Sequence, residues 1–283
     1  MLPSFLLIGA MKSGTTTLYW YLREHADVFM ASPKEPNFFN DHWHRGVGWY
    51  ERLFAGAGAA RARGEASVRY ASYPDGPECP SRIASVIPEV RLLYVVRDPL
   101  ARMRSHYLHE VAALRERRPI EQALRENPVY LDLSRYATQL ERYLDHFPRE
   151  QLLVVRAEDL FRDPSLVLPM VYGFIGVDPS AGPRSPGRRD NETAQRFELP
   201  VVVRRGIGLA VQADVYRHVP QWAKEVVRTL ARQRSRTAPD VRIPKDLADE
   251  LHAVLADELR RLRAIAGVRL FPDQNSDHEV DAG

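Results

Sequence analysis

Short, unbroken apolar runs alternate with amphipathic stretches over the first 178 residues. Leu6-Leu7-Ile8 ends at Gly9, the pattern of a strand buried on both faces. From Thr15 to His25, Leu18, Tyr19 and Leu22 recur at helical spacing, and Val28-Phe29-Met30 reads as a short second strand. Arg91 to Val96 is the clearest strand. Behind it, Asp98 as N-cap and Pro99 in the first turn predict a helix to about Leu114. Tyr136, Leu140, Tyr143 and Leu144 mark one face of a helix over Ser134 to Phe147, closed by Pro148. Gln151 to Val155 then reads as another buried strand. Strands alternating with helices imply a parallel sheet covered on both sides, an α/β fold of three layers, α/β/α.

The pattern changes near residue 178. Asp178 to Asn191 holds three prolines, two glycines and three arginines, which predicts a loop over 179–196. Beyond it only helical periodicity remains, with Leu247, Leu251, Leu255, Leu259 and Leu262 along one face. The expectation is one domain over 1–283: an α/β core at 1–178, the loop, and a helical C-terminal extension at 197–270 packing back on the core. Hydrophobic content of 45% with 27% charged residues excludes a disordered chain. Forty basic against 37 acidic residues leave a net charge of +3, too balanced for a nucleic-acid surface. The single cysteine, Cys79, excludes an intramolecular disulfide framework and a cysteine-based metal cluster. The N-terminal apolar run is cut by Gly9 and Lys12, and no stretch reaches the ~18 apolar residues of a membrane span, so a soluble, cytoplasmic protein is expected.

Chemistry concentrates where the first strand meets the first helix. Gly9-Ala10-Met11-Lys12-Ser13-Gly14-Thr15-Thr16-Thr17 is a glycine-bounded loop leading into a helix N-terminus, which gathers backbone N–H groups and a positive dipole end around an anion. Lys12 adds a full charge, and it is one of only four lysines in the chain. The fold is therefore P-loop-like, but the Walker pattern is not met. That pattern sets lysine directly after the second glycine and Ser or Thr next, to hold Mg²⁺; here Lys12 precedes Gly14 by two residues. A second anion site is expected from Arg97, at the end of its strand, and Ser105, eight residues on. Both can face the carboxyl edge of the sheet, where ligands of open α/β folds bind. Two anion sites at neighbouring strand ends suit a nucleotide with phosphates at both ends.

FLLIGAMKSGTTTLYWYL, KEPNFFN and RLLYVVRDPLARMRSHY together resemble the sulfotransferases that use 3′-phosphoadenosine 5′-phosphosulfate (PAPS), most closely the heparan-sulfate-type and related bacterial branch. The likeness continues through GVGWYERLF, GEASVRY and LLVVRAEDLFRDPSLVLPMVYGFIGV, covering about residues 4–178. It implies that Lys12, Ser13, Gly14, Thr15, Thr16 and Thr17 hold the 5′-phosphosulfate, that Arg97 and Ser105 clasp the 3′-phosphate, and that Glu35 is the catalytic base. Two departures stand out. Many heparan-type members carry a lysine after the glutamate of the third-strand motif, where this chain has Ala66 after Glu65. Their disulfide-closed C-terminal loop is also impossible with one cysteine; an arginine-rich segment with Arg184, Arg188 and Arg189 is the candidate nucleotide cover instead.

Sulfuryl transfer needs a cation where charge develops on the leaving phosphate and a base at the acceptor, and no metal is required. Lys12 suits the first role. An ordinary glutamate, pKa ~4.3, is a weak base toward a hydroxyl, and Phe38 and Phe39 beside Glu35 are expected to raise it by desolvation. The alternative is that Glu35 pairs with Lys34 or a surface arginine. His42 and His44 compete with Glu35 as bases, and with Phe38 they are candidates for the acceptor pocket, the acceptor being a hydroxyl (or an amine) on a carbohydrate or a hydroxylated natural product. The competing functions are an ATP-dependent P-loop kinase and a non-catalytic nucleotide-binding protein.

Overall fold

The structure, a computed structural model, describes residues 1–182 and 241–267. Arg184, Arg188, Arg189 and the helical pattern before residue 241 lie outside the described residues. The elements run β1 (Phe5–Gly9), α1 (Thr15–Glu24), β2 (Val28–Met30), α2 (Val47–Arg52), β3 (Ala62–Ala66), α3 (Cys79–Val86), β4 (Arg91–Val96), α4 (Pro99–Ala112), α5 (Ile120–Glu126), α6 (Val129–Asp132), α7 (Tyr136–Leu144), β5 (Leu152–Arg156), α8 (Ala157–Arg162), α9 (Pro164–Ile175) and α10 (Lys245–Ala266).

The five strands form one sheet in the order β2-β3-β1-β4-β5, and every pairing is parallel. β1 is central, with Leu6 opposite Glu65 on one side and Leu92 on the other. All five of its residues are buried, because helices cover both faces. Side chains alternate between the faces as strand geometry demands. Leu6, Ile8, Leu92, Tyr94 and Val96 pack with Ile83, Tyr136, Leu140 and Tyr143 on the side of α3 and α7. Phe5, Leu7, Leu93 and Val95 pack with Leu18, Leu22, Leu168 and Val171 on the side of α1 and α9. Each such side chain contributes about 1.5–3 kcal/mol on full burial.

Four of the five strands fall where the apolar runs predicted them; β3 carries no apolar run, and only the resemblance, through its GEASVRY motif, points to it. α4 ends two residues before Leu114, and α7 is shorter at both ends than Ser134–Phe147. Ser134 is fully buried and accepts a hydrogen bond from Arg102 Nε at 2.6 Å, so it braces another helix rather than beginning its own. α10 packs on the core as its leucine stripe predicted. Leu247, Leu251 and Leu255 join Met103, Ile120 and Leu124, while Leu262 enters the cluster around α7. Glu258 of α10 is buried, and its carboxylate accepts from the Thr138 backbone N–H at 3.1 Å and the Thr138 hydroxyl at 2.6 Å. A negative charge thus sits in the first turn of α7, where the helix dipole favours it.

Candidate active site at the carboxyl edge of the sheet

All strands being parallel, the segments that follow β1, β2, β3 and β4 emerge at one edge of the sheet. Backbone hydrogen bonds stitch them together there. Ser67 N–H donates to Leu7 O at 3.1 Å, Glu35 N–H to Ala66 O at 2.9 Å, and Ala10 N–H to Val95 O at 2.8 Å. The open-sheet rule places ligands at this edge.

After β1 the chain turns through a left-handed Lys12 (φ 68°) and Gly14 (φ 89°) into α1. Gly14 is the N-cap and offers no side chain to the first turn, so the N–H groups of Thr15, Thr16 and Thr17 are left for an external acceptor. A Cβ on Gly14 would lie 2.6 Å from the Phe161 ring, so the position takes glycine on both conformational and steric grounds. Ser13 is fully buried, and its hydroxyl has no hydrogen-bond partner. An orphaned hydroxyl, unclaimed N–H groups and a lysine in one loop fit a bound anion.

The second expected site joins the first directly. Asp98 spends its carboxylate on the Ala101 N–H at 2.8 Å, capping α4, while its own N–H donates to Glu158 Oε1 at 2.8 Å. Arg97 instead reaches across β4 to β1, donating from Nη1 to the Lys12 carbonyl at 3.3 Å, and Tyr136 donates to Arg97 O at 2.9 Å. Ser105 lies on α4 and is 7% exposed. The structure therefore brings Arg97 onto the Lys12 loop.

Sequence reasoning did not single out Arg102, one turn before Ser105. Its guanidinium is fully buried without a carboxylate, held by Ser134 Oγ and Tyr130 O, and Nη1 has no partner. His106, also buried, stacks edge-on against Tyr130 with ring centroids 4.7 Å apart. Burial, with Arg102 adding to it, pushes its pKa down to about 3, so the ring is neutral.

The segment after β2 departs from expectation in part. Glu35 sits at positive φ (63°) and pairs with Lys34 at 2.8 Å; its side chain is 36% exposed. The alternative weighed from sequence, pairing with Lys34, is the one observed. Phe38 and Phe39 do not wall it, because both rings have turned inward and are fully buried. Phe38 stacks on Tyr50 at 4.4 Å and 9° and meets Trp43 at 5.3 Å, so it is a core residue with no surface to offer an acceptor. The cause is the apolar character of the pair, which packs better against Tyr50 and Tyr70 than against an open cleft. His42 and His44 lie in the following turn, rings 6.1 Å apart, and the His42 N–H donates to Asn37 O at 3.1 Å. His44 is exposed and His42 half-buried.

The carboxylate that burial does perturb is Glu65, the last residue but one of β3. It is fully buried and accepts from Tyr50 OH at 3.2 Å and Ser67 Oγ at 2.8 Å. Desolvation pushes its pKa up to about 7, against the lowering effect of those hydroxyls. Ala66, where a lysine was noted as missing, is also fully buried, and its carbonyl is the acceptor that pins Glu35.

This geometry coincides with relationships seen across known proteins. The sequence matches the sulfotransferase domain family over residues 2–195. It is 34% identical over 200 residues to human bifunctional heparan sulfate N-deacetylase/N-sulfotransferase 3, covering 63% of this chain and 23% of that protein. It is 32% identical over 186 residues to mouse heparan sulfate glucosamine 3-O-sulfotransferase 3B1, covering 62% of this chain and 46% of the relative. The matched region thus spans less than half the length of these relatives. A crystal structure of a sulfotransferase from Alicyclobacillus acidocaldarius superposes with a TM-score of 0.68 at 26% identity, covering 95% of this chain and 98% of that one. Sheet order, the loop after β1 and a match over more than half of the sequence agree: the chain belongs to the sulfotransferase domain family.

Proposed function

We propose that the protein transfers a sulfuryl group from PAPS to a hydroxyl or amine of a carbohydrate or hydroxylated small molecule, by in-line displacement. The observation that carries this reading is the contact of Arg97 Nη1 with the Lys12 carbonyl. It sets two cationic anion-binding segments side by side at the ends of β1 and β4, as a nucleotide phosphorylated at both the 3′ and 5′ positions requires. PAPS supplies the activated sulfuryl group when bound.

The chain's own residues then divide the work. The N–H groups opening α1, the Ser13 hydroxyl and the threonines hold the 5′ end, and Arg97 with Ser105 holds the 3′-phosphate. Lys12 places its ammonium where negative charge grows on the leaving phosphate, an interaction that strengthens in the transition state. Glu35 takes the acceptor's proton, and Lys34 orients its carboxylate through their ion pair. The relatives' names point to sugar acceptors, and the His42 backbone N–H is tied to Asn37 O in the segment that carries Glu35.

Thermal-shift measurements with 3′-phosphoadenosine 5′-phosphate and with ATP–Mg²⁺ test the nucleotide reading. Stabilisation by the bisphosphate is expected; stabilisation by ATP–Mg²⁺ alone would favour a kinase. Transfer of labelled sulfate from PAPS to desulfated heparan oligosaccharides and to p-nitrophenol, compared in wild type and Lys12→Ala, tests the chemistry.

A further inference from the structure

Beyond the Ala66 carbonyl of β3 that takes the Glu35 N–H, the segment that presents Glu35 is held from below by hydroxyls. Asn37 N–H donates to Ser67 Oγ at 3.0 Å, and Phe38 N–H donates to Tyr70 OH at 2.9 Å, with Phe39 N–H more distant from the same oxygen at 3.4 Å. The Ser67 hydroxyl in turn gives its proton to the carboxylate of Glu65. Tyr50, whose ring carries the stacked Phe38, gives its proton to the same carboxylate.

A hydroxyl has one proton and two lone pairs, and an ionised carboxylate only accepts. A buried carboxylate that takes the proton of Ser67 leaves the Ser67 lone pairs facing the Asn37 N–H. A protonated Glu65 carries an O–H that must itself donate. When Ser67 accepts that O–H, its own proton has to leave the carboxylate, and the hydroxyl is no longer held in one orientation toward the Asn37 N–H.

We propose that Glu65 is a positioning residue: its buried carboxylate orients the Ser67 hydroxyl to accept from the Asn37 backbone N–H and anchors the Tyr50 ring on which Phe38 stacks, and so fixes the segment that presents Glu35. The catalytic consequence rests on the reading of Glu35 as base; the fixing of the segment does not. Backbone strain makes such a clamp necessary, since Glu35 and Asn37 both occupy the left-handed region at φ 63° and 49°, which non-glycine residues hold only when their surroundings enforce it. The raised pKa of Glu65, about 7, brings the clamp's titration into the working pH range. Titratable groups face it from every element around it: Glu35 after β2, Tyr50 on α2, Tyr70 after β3, Cys79 on α3 and Tyr143 on α7. Burial raises both Tyr50 and Tyr70 well above the ordinary tyrosine value, and Cys79 to about 12, so these three stay protonated while Glu65 titrates.

The test is amide hydrogen exchange on the full chain, read as protection factors at Asn37 and Phe38 against amides of β1 and β4 from pH 5 to 9. In wild type, protection at the two loop amides is expected to rise as the pH passes 7, with the strand amides unchanged. Glu65→Gln should lower loop protection about tenfold above pH 7, one hydrogen bond's worth, and flatten its pH profile. Binding of 3′-phosphoadenosine 5′-phosphate should be unaffected. Where labelled sulfate is transferred, Glu65→Gln should lower kcat and leave the KM for PAPS in place, with the inflection near pH 7 gone. Should Glu65→Gln fail to fold, Ser67→Ala must deprotect Asn37 alone and Tyr70→Phe must deprotect Phe38. Loop protection equal to wild type in these variants across the pH range would overturn the proposal. Full activity in Glu35→Gln would instead remove Glu35 as base and leave the exchange result standing.

Discussion

The two sides of the site are built by opposite means. On the side proposed for the nucleotide, the loop after β1 is backbone machinery: glycines that permit a turn, N–H groups without a side-chain cap, one lysine, and Arg97 laid across a carbonyl. On the acceptor side, the segment after β2 is held by buried side chains from three other places in the chain: Tyr50, the Glu65-Ser67 pair and Tyr70. The first kind of construction tolerates no change of local conformation but depends on few side chains. The second depends on polar groups sealed from water, which are costly unless fully satisfied. Nucleotide binding and acceptor activation should accordingly fail independently.

The sharpest separation is expected in Glu35→Gln, which should lower sulfate transfer by about 10²–10⁴-fold, the usual worth of a positioned base. Stabilisation by 3′-phosphoadenosine 5′-phosphate should survive; loss of that binding too would break the division between the sides. Lys12→Ala should cost about 10²–10³-fold in turnover, and here calorimetric affinity for the bisphosphate should fall as well. Retained turnover in labelled-sulfate assays would deny Lys12 its role.

The buried carboxylate gives the acceptor side a pH signature of its own. The folded-state pKa of Glu65 is raised, so the native state holds this proton more tightly than the unfolded chain. Its contribution favours folding below about pH 5 and is lost as the pH rises through 7, by at most about 3 kcal/mol. His106 acts in the opposite sense: its depressed pKa adds stability as the pH climbs from about 3 toward the ordinary histidine value. Denaturant titrations at pH 5 to 8 should therefore be read as the difference between wild type and Glu65→Gln. That difference should grow in favour of the variant with rising pH, and a constant difference would contradict it.

Smaller effects sharpen the nucleotide side. Arg97→Ala removes the cation proposed to hold the 3′-phosphate and should weaken bisphosphate binding by about 10–100-fold, with the acceptor-side amides undisturbed. Gly14→Ala forces a Cβ into the left-handed region beside the Phe161 ring and should cost about 1–2 kcal/mol in denaturation. Restoration of part of that loss by Phe161→Ala would separate the steric share from the conformational one.

The same contrast explains what the amino-acid sequence reveals. Leu6-Leu7-Ile8, Arg91 to Val96 and the leucines of α10 are contiguous or periodic signals, and the structure follows them. The loop around Lys12 is also local: glycines, lysine and threonines stand together because one turn of backbone needs them together. Phe38 illustrates the limit. Beside Glu35 in sequence, it reads as a pocket wall, yet a fully apolar ring goes where other rings are. Tyr50 and Tyr70 look like ordinary core tyrosines, and a lone glutamate in a short strand announces no partners. Only the parallel pairing of β2, β3 and β1 brings the hydroxyls and the carboxylate under one segment. Arg102 is concealed for the same reason, since its braces at Tyr130 and Ser134 come from elements some thirty residues away.

The grip of α10 on the core has a practical side. Glu258 accepts from the first turn of α7, Arg261 pairs with Glu141 of α7, and Leu255 and Leu262 are fully covered, all from a helix that lies beyond the 2–195 stretch matched by the family model. The boundary drawn by kinship and the boundary drawn by packing do not coincide. A chimaera that transplants only the shared stretch would leave the start of α7 uncapped and a greasy furrow open to water. Exchanging acceptor preference between relatives should carry this distant helix along as part of the cassette.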